Sequence, residues 1–238
     1  MILRKWEELP EDMQTPEVRK YYDILSKRKF NLVLKRIFDI IVSLIMLVAF
    51  AIPILIISIL IMLDSQGGVF YRQVRVTTYG KEFRIHKFRT MVANADKSGS
   101  LVTVGQDNRI TKIGGFLRKY RLDELPQLLD VLNGTMSYVG ARPEVPKYVE
   151  QYSAEMKATL LLPAGITSEA SIHYKDEAKL LNGTIDVDKV YIEKVLPGKM
   201  EYNLLAIEKF SFLGEISTMF RTVFAVLGKD YPEEKVRV

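Results

Sequence analysis

Residues 40–63 read IIVSLIMLVAFAIPILIISILIML, without one charged side chain and with Ser43 and Ser58 as the polar exceptions. About 20 apolar residues are enough to cross a bilayer as a helix, so this block is expected to enter lipid. Pro53 lies near its middle. It cannot donate the helical hydrogen bond and its ring crowds the preceding turn, so a kink or break is expected there. The charge-rich residues ahead of the block, and the lack of a small-residue cleavage site behind it, argue against a cleaved signal peptide.

The flanks bear on topology. Lys27, Arg28, Lys29, Lys35 and Arg36 precede the block, and Arg72, Arg75, Lys81, Arg84, Lys87 and Arg89 follow it. The positive-inside rule therefore draws both ends to the cytoplasm. Two topologies meet these facts. One is a single span with a tolerated proline kink, which composition alone slightly favours; the other is a re-entrant hairpin with both ends on one side.

Outward from the block, the chain divides into four expected segments. Residues 1–36 form an N-terminal amphipathic helical extension: in TPEVRKYYDILSKRK, Thr15 is a suitable N-cap, Pro16 suits the first helical position, and Val18, Tyr22 and Leu25 share a face. A packed surface helix and a helix on the membrane surface fit it equally well. Residues 37–64 are the broken apolar hairpin. Residues 65–185 form a cytoplasmic catalytic domain that opens with a β-hairpin, because apolar and basic residues alternate from Val69 to Met91 around the turn signal Tyr79-Gly80. Ala93–Gly105 has no periodicity and reads as a loop. Residues 186–238 are expected to form a C-terminal helical segment at the membrane surface, in which FLGEISTMFRTVFAVLG places Phe212, Ile216, Phe220 and Val223 at helical spacing. Such a stripe suits a core helix or one lying in the membrane interface.

The whole chain of 238 residues carries a net charge of +5 with a pI near 9.2, which suits an anionic partner: nucleic acid, lipid headgroups or a nucleotide phosphate. It has no cysteine, which excludes disulfides, thiolate chemistry and Cys-based zinc sites. Its two histidines, His86 and His173, sit in no metal-ligand spacing and beside no candidate serine nucleophile. No Walker or Rossmann glycine motif appears.

What remains is RLDELPQLLD, residues 121–130, which sets Asp123 beside Glu124. Two short helices are expected to meet at Asp123–Pro126, the second closed by Asn133-Gly134. Pro126 fits a first helical turn, so the carboxylates lie where the helix dipole favours negative charge. One carboxylate can then attack a phosphorus while its neighbour holds Mg²⁺, an ion that accepts one or two carboxylates plus phosphate oxygens. Arg118, Lys119, Arg121 and Arg142 supply charge to neutralise a diphosphate. An Asp-Glu pair alone is more often a helix cap; the arginines and the apolar block turn the reading toward a phosphate substrate at a membrane surface.

The order KRIFDIIVSLIMLVAFAIPILIISILIMLDS, VFYRQVRV, HKFRTM, DNRITKIGGFLRKYRLDELPQLLDVLNGTMSYVGARPE and LPAGIT resembles the bacterial sugar transferases, the monotopic phosphoglycosyl transferases that act on polyprenol phosphate. The likeness runs collinearly from about Lys35 to about Lys175, and YIEKVLPGKM resembles the tails of small members. It implies a ping-pong reaction on the cytoplasmic face of the bacterial inner membrane. Asp123 matches the nucleophile that takes the phosphosugar from a UDP-sugar and expels UMP; polyprenol phosphate then removes it as polyprenol-diphosphate-sugar, the first membrane step of a glycoconjugate or exopolysaccharide pathway. Glu124 matches the Mg²⁺-binding glutamate, with Asp123 beside the ion, and Arg118 and Arg142 match phosphate-contacting arginines. Lys87 and Gln127 occupy motif positions near the site. The family also supplies the re-entrant hairpin, which decides between the two topologies. Two departures are Ile52-Pro53 where the family often has Ser-Pro, and Ala141-Arg142-Pro143 where it has Pro-Arg-Pro.

The expected protein is thus an α/β, mostly helical enzyme: one catalytic domain around a re-entrant hairpin, with a small β-hairpin and amphipathic interfacial helices. Its expected partners are UDP-sugar, polyprenol phosphate and the bilayer, with no nucleic acid; a homo-oligomer is left open. The rival readings are a non-enzymatic membrane-anchored binding module and a bitopic glycosyltransferase that releases UDP. MKATLLLPAGITSEASIHYKDEAKLL is expected to line or support the sugar pocket, but no side-chain pattern names the sugar.

Overall fold

The computed structural model describes residues 3–93, 95, 107–175, 177, 186–229 and 231, and these described residues are mostly helical with three two-stranded sheets. Helix α1 (Pro16–Ser26) starts as expected, with Thr15 accepting from the Val18 N–H and Pro16 at its first position. It is not a detached extension. Val18, Tyr21 and Leu25 are buried against Leu161, Ile207 and Phe210, and each such fully buried aliphatic contributes roughly 1.5–3 kcal/mol.

Helices α2 (Lys29–Ala49) and α3 (Ala51–Asp64) carry the apolar block. The expected boundary at residue 37 falls inside α2. Neither helix alone is long and apolar enough to cross a membrane; as a pair bent by 61° they have the length and the apolar composition of a broken span or a re-entrant loop. The break falls at Phe50, not at Pro53. Pro53 still explains it: in a continuous helix its ring would strike the carbonyl of Ala49 four residues back, so α2 stops there and Pro53 is absorbed in the first turn of α3.

The inward face of α2 is polar. Lys35, Asp39 and Ser43, spaced by four residues, are its buried side chains with Leu32, whereas Ile37, Ile41, Leu44 and Val48 are exposed, Val48 by 80%. Lys35 donates to Val139 O at 2.7 Å and pairs with Glu215, Ser137 donates to Asp39 at 2.8 Å, and Ser43 bonds Tyr138. Such an inverted helix buries its polar stripe against protein and presents apolar side chains outward. On α3 only Ile61 is buried. Both ends of the pair are fastened to the same body: Arg36 donates to the carbonyls of Val131 and Leu132, and Arg89 donates to that of Ser65.

Strands β1 (Phe70–Tyr71), β2 (Val74–Val76), β3 (Glu82–Arg84) and β4 (Lys87–Phe88) make the expected hairpin as two nested antiparallel ladders. Val74 faces Arg84 in the inner ladder, Phe70 faces Phe88 in the outer, and a 3₁₀ turn at Thr78–Gly80 closes it. Most of the loop expected at Ala93–Gly105 lies outside the described residues.

Helix α4 (Lys112–Lys119), a 3₁₀ turn (Leu122–Gln127) and α5 (Leu128–Asn133) follow, and Gly134 closes α5 at φ 85° as expected. Strand β5 (Met136–Val139) pairs in parallel with β6 (Ala164–Thr167) across α6 (Pro146–Val149) and a 3₁₀ turn (Met156–Leu161). Gly165 permits this pairing, since a Cβ there would fall 2.2 Å from the Gly140 nitrogen. Helices α7 (Glu169–His173), α8 (Val187–Val190), a π-helical turn (Tyr191–Val195), α9 (Leu196–Glu208) and α10 (Phe212–Val226) follow among the described residues.

The C-terminal segment divides in two. Tyr191, Leu196, Met200 and Ile207 are buried, so α9 is core and not surface. Helix α10 buries Thr218 and Ala225 but exposes Leu213, Phe220, Val223 and Phe224. Its apolar stripe therefore faces outward and not into the core.

Candidate active site

The reading of RLDELPQLLD becomes geometry between α4 and α5. Thr111 caps α4 by accepting from the Gly114 N–H at 3.0 Å, and the Asp64 carboxylate accepts from the Ile113 N–H. Gly114 lets α4 lie on Thr90, whose carbonyl would stand 2.0 Å from an added Cβ. That contact aims Arg118, whose Nε donates to Thr90 Oγ1 at 2.8 Å. Arg121 then takes a left-handed conformation, φ 57°, and turns the chain into the 3₁₀ segment. Pro126 sits inside that segment and not at the start of α5.

The turn points Asp123 and Glu124 the same way, into a cleft of about 580 Å³ that also receives Lys87, Arg118, Arg121 and Arg142. Lys87 comes from β4, which α5 holds: Asp130 accepts from the His86 backbone N–H at 2.8 Å and bonds its ring Nδ1 at 2.7 Å. Lys87 Nζ reaches Glu124 Oε1 at 2.9 Å and lies 3.7 Å from Asp123 Oδ2. Arg142 Nη2 contacts Glu124 Oε1 at 2.6 Å. Among the described residues, Asp123 Oδ1 and Gln127 Nε2 are buried without hydrogen-bond partners. Gln127 does not line the cleft.

The environment separates the two carboxyls. Burial raises the Asp123 pKa, Lys87 opposes that rise, and the charge on Glu124 adds to it. Burial pushes Glu124 the same way, but Arg142 and Lys87 outweigh it and hold Glu124 well below the usual carboxylate range. Glu124 in turn raises Arg142, while burial lowers Lys87 and Arg118. One carboxylate is locked as an anion; its neighbour keeps a more basic, more nucleophilic oxygen.

Sequence reasoning missed the opposite wall. Arg75 donates to Pro143 O at 3.0 Å, and Glu144 accepts from Tyr191 Oη at 2.6 Å. Lys199 Nζ, almost fully buried, binds Tyr191 Oη at 2.9 Å and Glu177 at 3.1 Å. A lysine inside the apolar run VLPGKMEY was the available signal, and the π-helical turn that sets it beside Tyr191 leaves no mark in the pattern. From the stretch expected at the sugar pocket, Glu177 lines this cleft.

Among the described residues no three His, Cys, Asp or Glu side chains cluster as a metal site. Two adjacent carboxylates with one unpartnered oxygen fit an ion that takes its remaining ligands from phosphate and water.

The profile of the bacterial sugar transferases matches residues 30–229. A Bacillus subtilis (strain 168) protein, named provisionally for undecaprenyl-phosphate N-acetylgalactosaminyl 1-phosphate transfer, is 43% identical over 160 residues, 66% of this chain and 87% of that protein. The Klebsiella pneumoniae UDP-glucose:undecaprenyl-phosphate glucose-1-phosphate transferase is 36% identical over 82% of this chain. The Aeromonas hydrophila UDP-N-acetylgalactosamine-undecaprenyl-phosphate N-acetylgalactosaminephosphotransferase is 32% identical over 82% of this chain. The match spans only 40% and 44% of these last two proteins.

Proposed function

The chain belongs to the bacterial sugar transferase family, and from that premise we propose that it moves a sugar phosphate from a UDP-sugar to polyprenol phosphate in two steps through Asp123. The observation that carries this reading is the buried Asp123 carboxylate, raised in basicity, one oxygen unpartnered, in a cleft lined by lysine and arginine.

In the first step an Asp123 oxygen attacks the sugar-bearing phosphorus, the bond to the bridging oxygen breaks, and UMP leaves with that oxygen. In the second, a phosphate oxygen of the acceptor attacks the same phosphorus and the aspartyl–phosphorus bond breaks, which restores the carboxylate and yields the diphosphate-linked sugar. Arg142, Lys87 and Arg118 orient the diphosphate and offset charge that builds in the transition state. Glu124, with Asp123, would hold Mg²⁺, which when bound neutralises phosphate charge and orients the leaving group.

The α2–α3 pair is read as a re-entrant hairpin in the inner membrane with the cleft on the cytoplasmic side. Its support is the outward apolar face of both helices and the attachment of both ends to one body. The outward stripe of α10 lies in the interface on this reading.

The test is nucleotide release from UDP-sugars with and without polyprenol phosphate. UMP, not UDP, is expected; Asp123→Asn is expected to abolish its release in both conditions. Retained turnover in that variant, or release of UDP, removes the proposal.

A further inference from the structure

Arg142 lies in residues 140–145, the link from β5 to α6, which is neither helix nor strand. A backbone of that kind does not aim a side chain by itself. This link is fastened on both sides of Arg142: Ala141 O accepts from the Gly165 N–H at 2.8 Å, Pro143 O from Arg75 Nη1 at 3.0 Å, and Glu144 O from the Val76 N–H at 2.9 Å. The Glu144 side chain is fastened as well. Its Oε1 accepts from Tyr191 Oη at 2.6 Å and lies 3.5 Å from Lys199 Nζ, which also donates to Tyr191 Oη at 2.9 Å and to Glu177 at 3.1 Å.

Glu144, Tyr191 and Lys199 are all buried. A buried ion pair adds little stability over well-packed apolar side chains of similar volume, so stability alone does not account for this one. Its effect is to join distant parts of the chain. Tyr191 belongs to the π-helical turn and Lys199 to α9, whereas Glu144 is two residues from Arg142. Tyr148 of α6 packs its ring on that of Tyr191, with 4.8 Å between centroids.

We propose that Glu144, Tyr191 and Lys199 form a positioning cluster through which the C-terminal segment keeps Arg142 aimed at the reacting phosphate. The inference rests on the reaction proposed above. The Arg142 guanidinium contacts Glu124 at 2.6 Å, and a diphosphate competes with that carboxylate for it. Once the guanidinium turns to phosphate, the held backbone is what sets its reach, and a misplacement of about 1 Å costs on the order of 10²-fold in rate. The cluster also acts on Arg142 through charge: Glu124 raises its pKa most, burial opposes the rise, and Glu177 and Glu144 add to it.

The test is a double-mutant cycle on UMP release from UDP-sugar by the full chain in detergent, run well below the thermal midpoint of every variant. Tyr191→Phe removes the hydroxyl and keeps the ring. It is expected to lower kcat/KM for UDP-sugar roughly tenfold in the otherwise wild-type chain, but less than about twofold in Arg142→Lys, where the planar fork that needs aiming is gone. Glu144→Gln, which keeps the side-chain shape, is expected to show the same dependence on Arg142. A direct contact of Tyr191 with substrate, or a role in packing alone, lowers the rate by one factor in both backgrounds; that result, or a wild-type rate in both Tyr191→Phe and Glu144→Gln, overturns the inference. Wild-type chain that releases no UMP from any UDP-sugar overturns the reaction itself, and the inference with it.

Discussion

Lys87 Nζ lies 3.7 Å from Asp123 Oδ2, in electrostatic reach but beyond hydrogen-bond distance, because the ammonium is drawn to Glu124 Oε1 at 2.9 Å. Lys87 therefore lowers the Asp123 pKa without tying up the oxygen that must attack. In Lys87→Met that opposition is lost, and burial and Glu124 raise Asp123 further. Since the reaction needs the ionised carboxylate, the acid limb of the pH profile for UMP release moves to higher pH. The rate at its plateau falls roughly 10²–10³-fold with the loss of one charged donor. A profile whose acid limb stays in place shows that Lys87 only packs.

Glu124 acts on its neighbour in the opposite sense, so the complementary substitution reverses the shift. Glu124→Gln removes a negative charge beside Asp123 and releases Lys87 and Arg142 from it. The acid limb is expected to move to lower pH, while the Mg²⁺ concentration for half-maximal UMP release rises at least roughly tenfold. An unchanged Mg²⁺ requirement places the ion's ligands elsewhere.

The hairpin reading makes a geometric prediction that the absence of cysteine renders simple to test. Single cysteines at the exposed Lys27 and Gln66, one on each side of the apolar pair, are expected to react with an impermeant maleimide from the same face of oriented vesicles. Labelling from opposite faces means that the pair spans.

The parts of this fold legible in the sequence are those with a local cause. Thr15-Pro16 starts a helix, Tyr79-Gly80 turns a hairpin, Gly134 ends α5, and Pro53 interrupts an apolar run because each acts within a few residues. Even there the break moved to Phe50, since the clash of Pro53 is felt one turn upstream. Asp123, Glu124, Lys87 and Arg142 were found together because the motifs carrying them were read together. Lys199, Tyr191 and Glu144 were not, because their meeting depends on a π-helical turn and on packing between segments far apart in the chain. The inward or outward aim of α1 and α10 was equally open, since an amphipathic stripe fixes a face but not what it faces.

The polar face of α2 supplies a last prediction. Lys35 and Glu215 are both nearly buried, at 3% and 14% side-chain exposure, and their pair joins α2 to α10. Burial raises the Glu215 pKa and Lys35 opposes it. Lys35→Met leaves an uncompensated buried carboxylate, at a cost of about 3–5 kcal/mol and a loss of roughly 6–20 °C in thermal midpoint in detergent. In the variant Glu215 has a folded pKa further above its unfolded one, so the native state holds its proton more tightly. The stability that proton confers is present at low pH and is lost as pH rises through the folded pKa; the deficit against wild type is therefore larger at about pH 8 than at about pH 5. Adding Glu215→Leu removes the stranded charge and is expected to restore more than half of the lost midpoint and to flatten this pH dependence. A double variant no more stable than Lys35→Met shows that the loss came from the Val139 carbonyl, which Lys35 also serves.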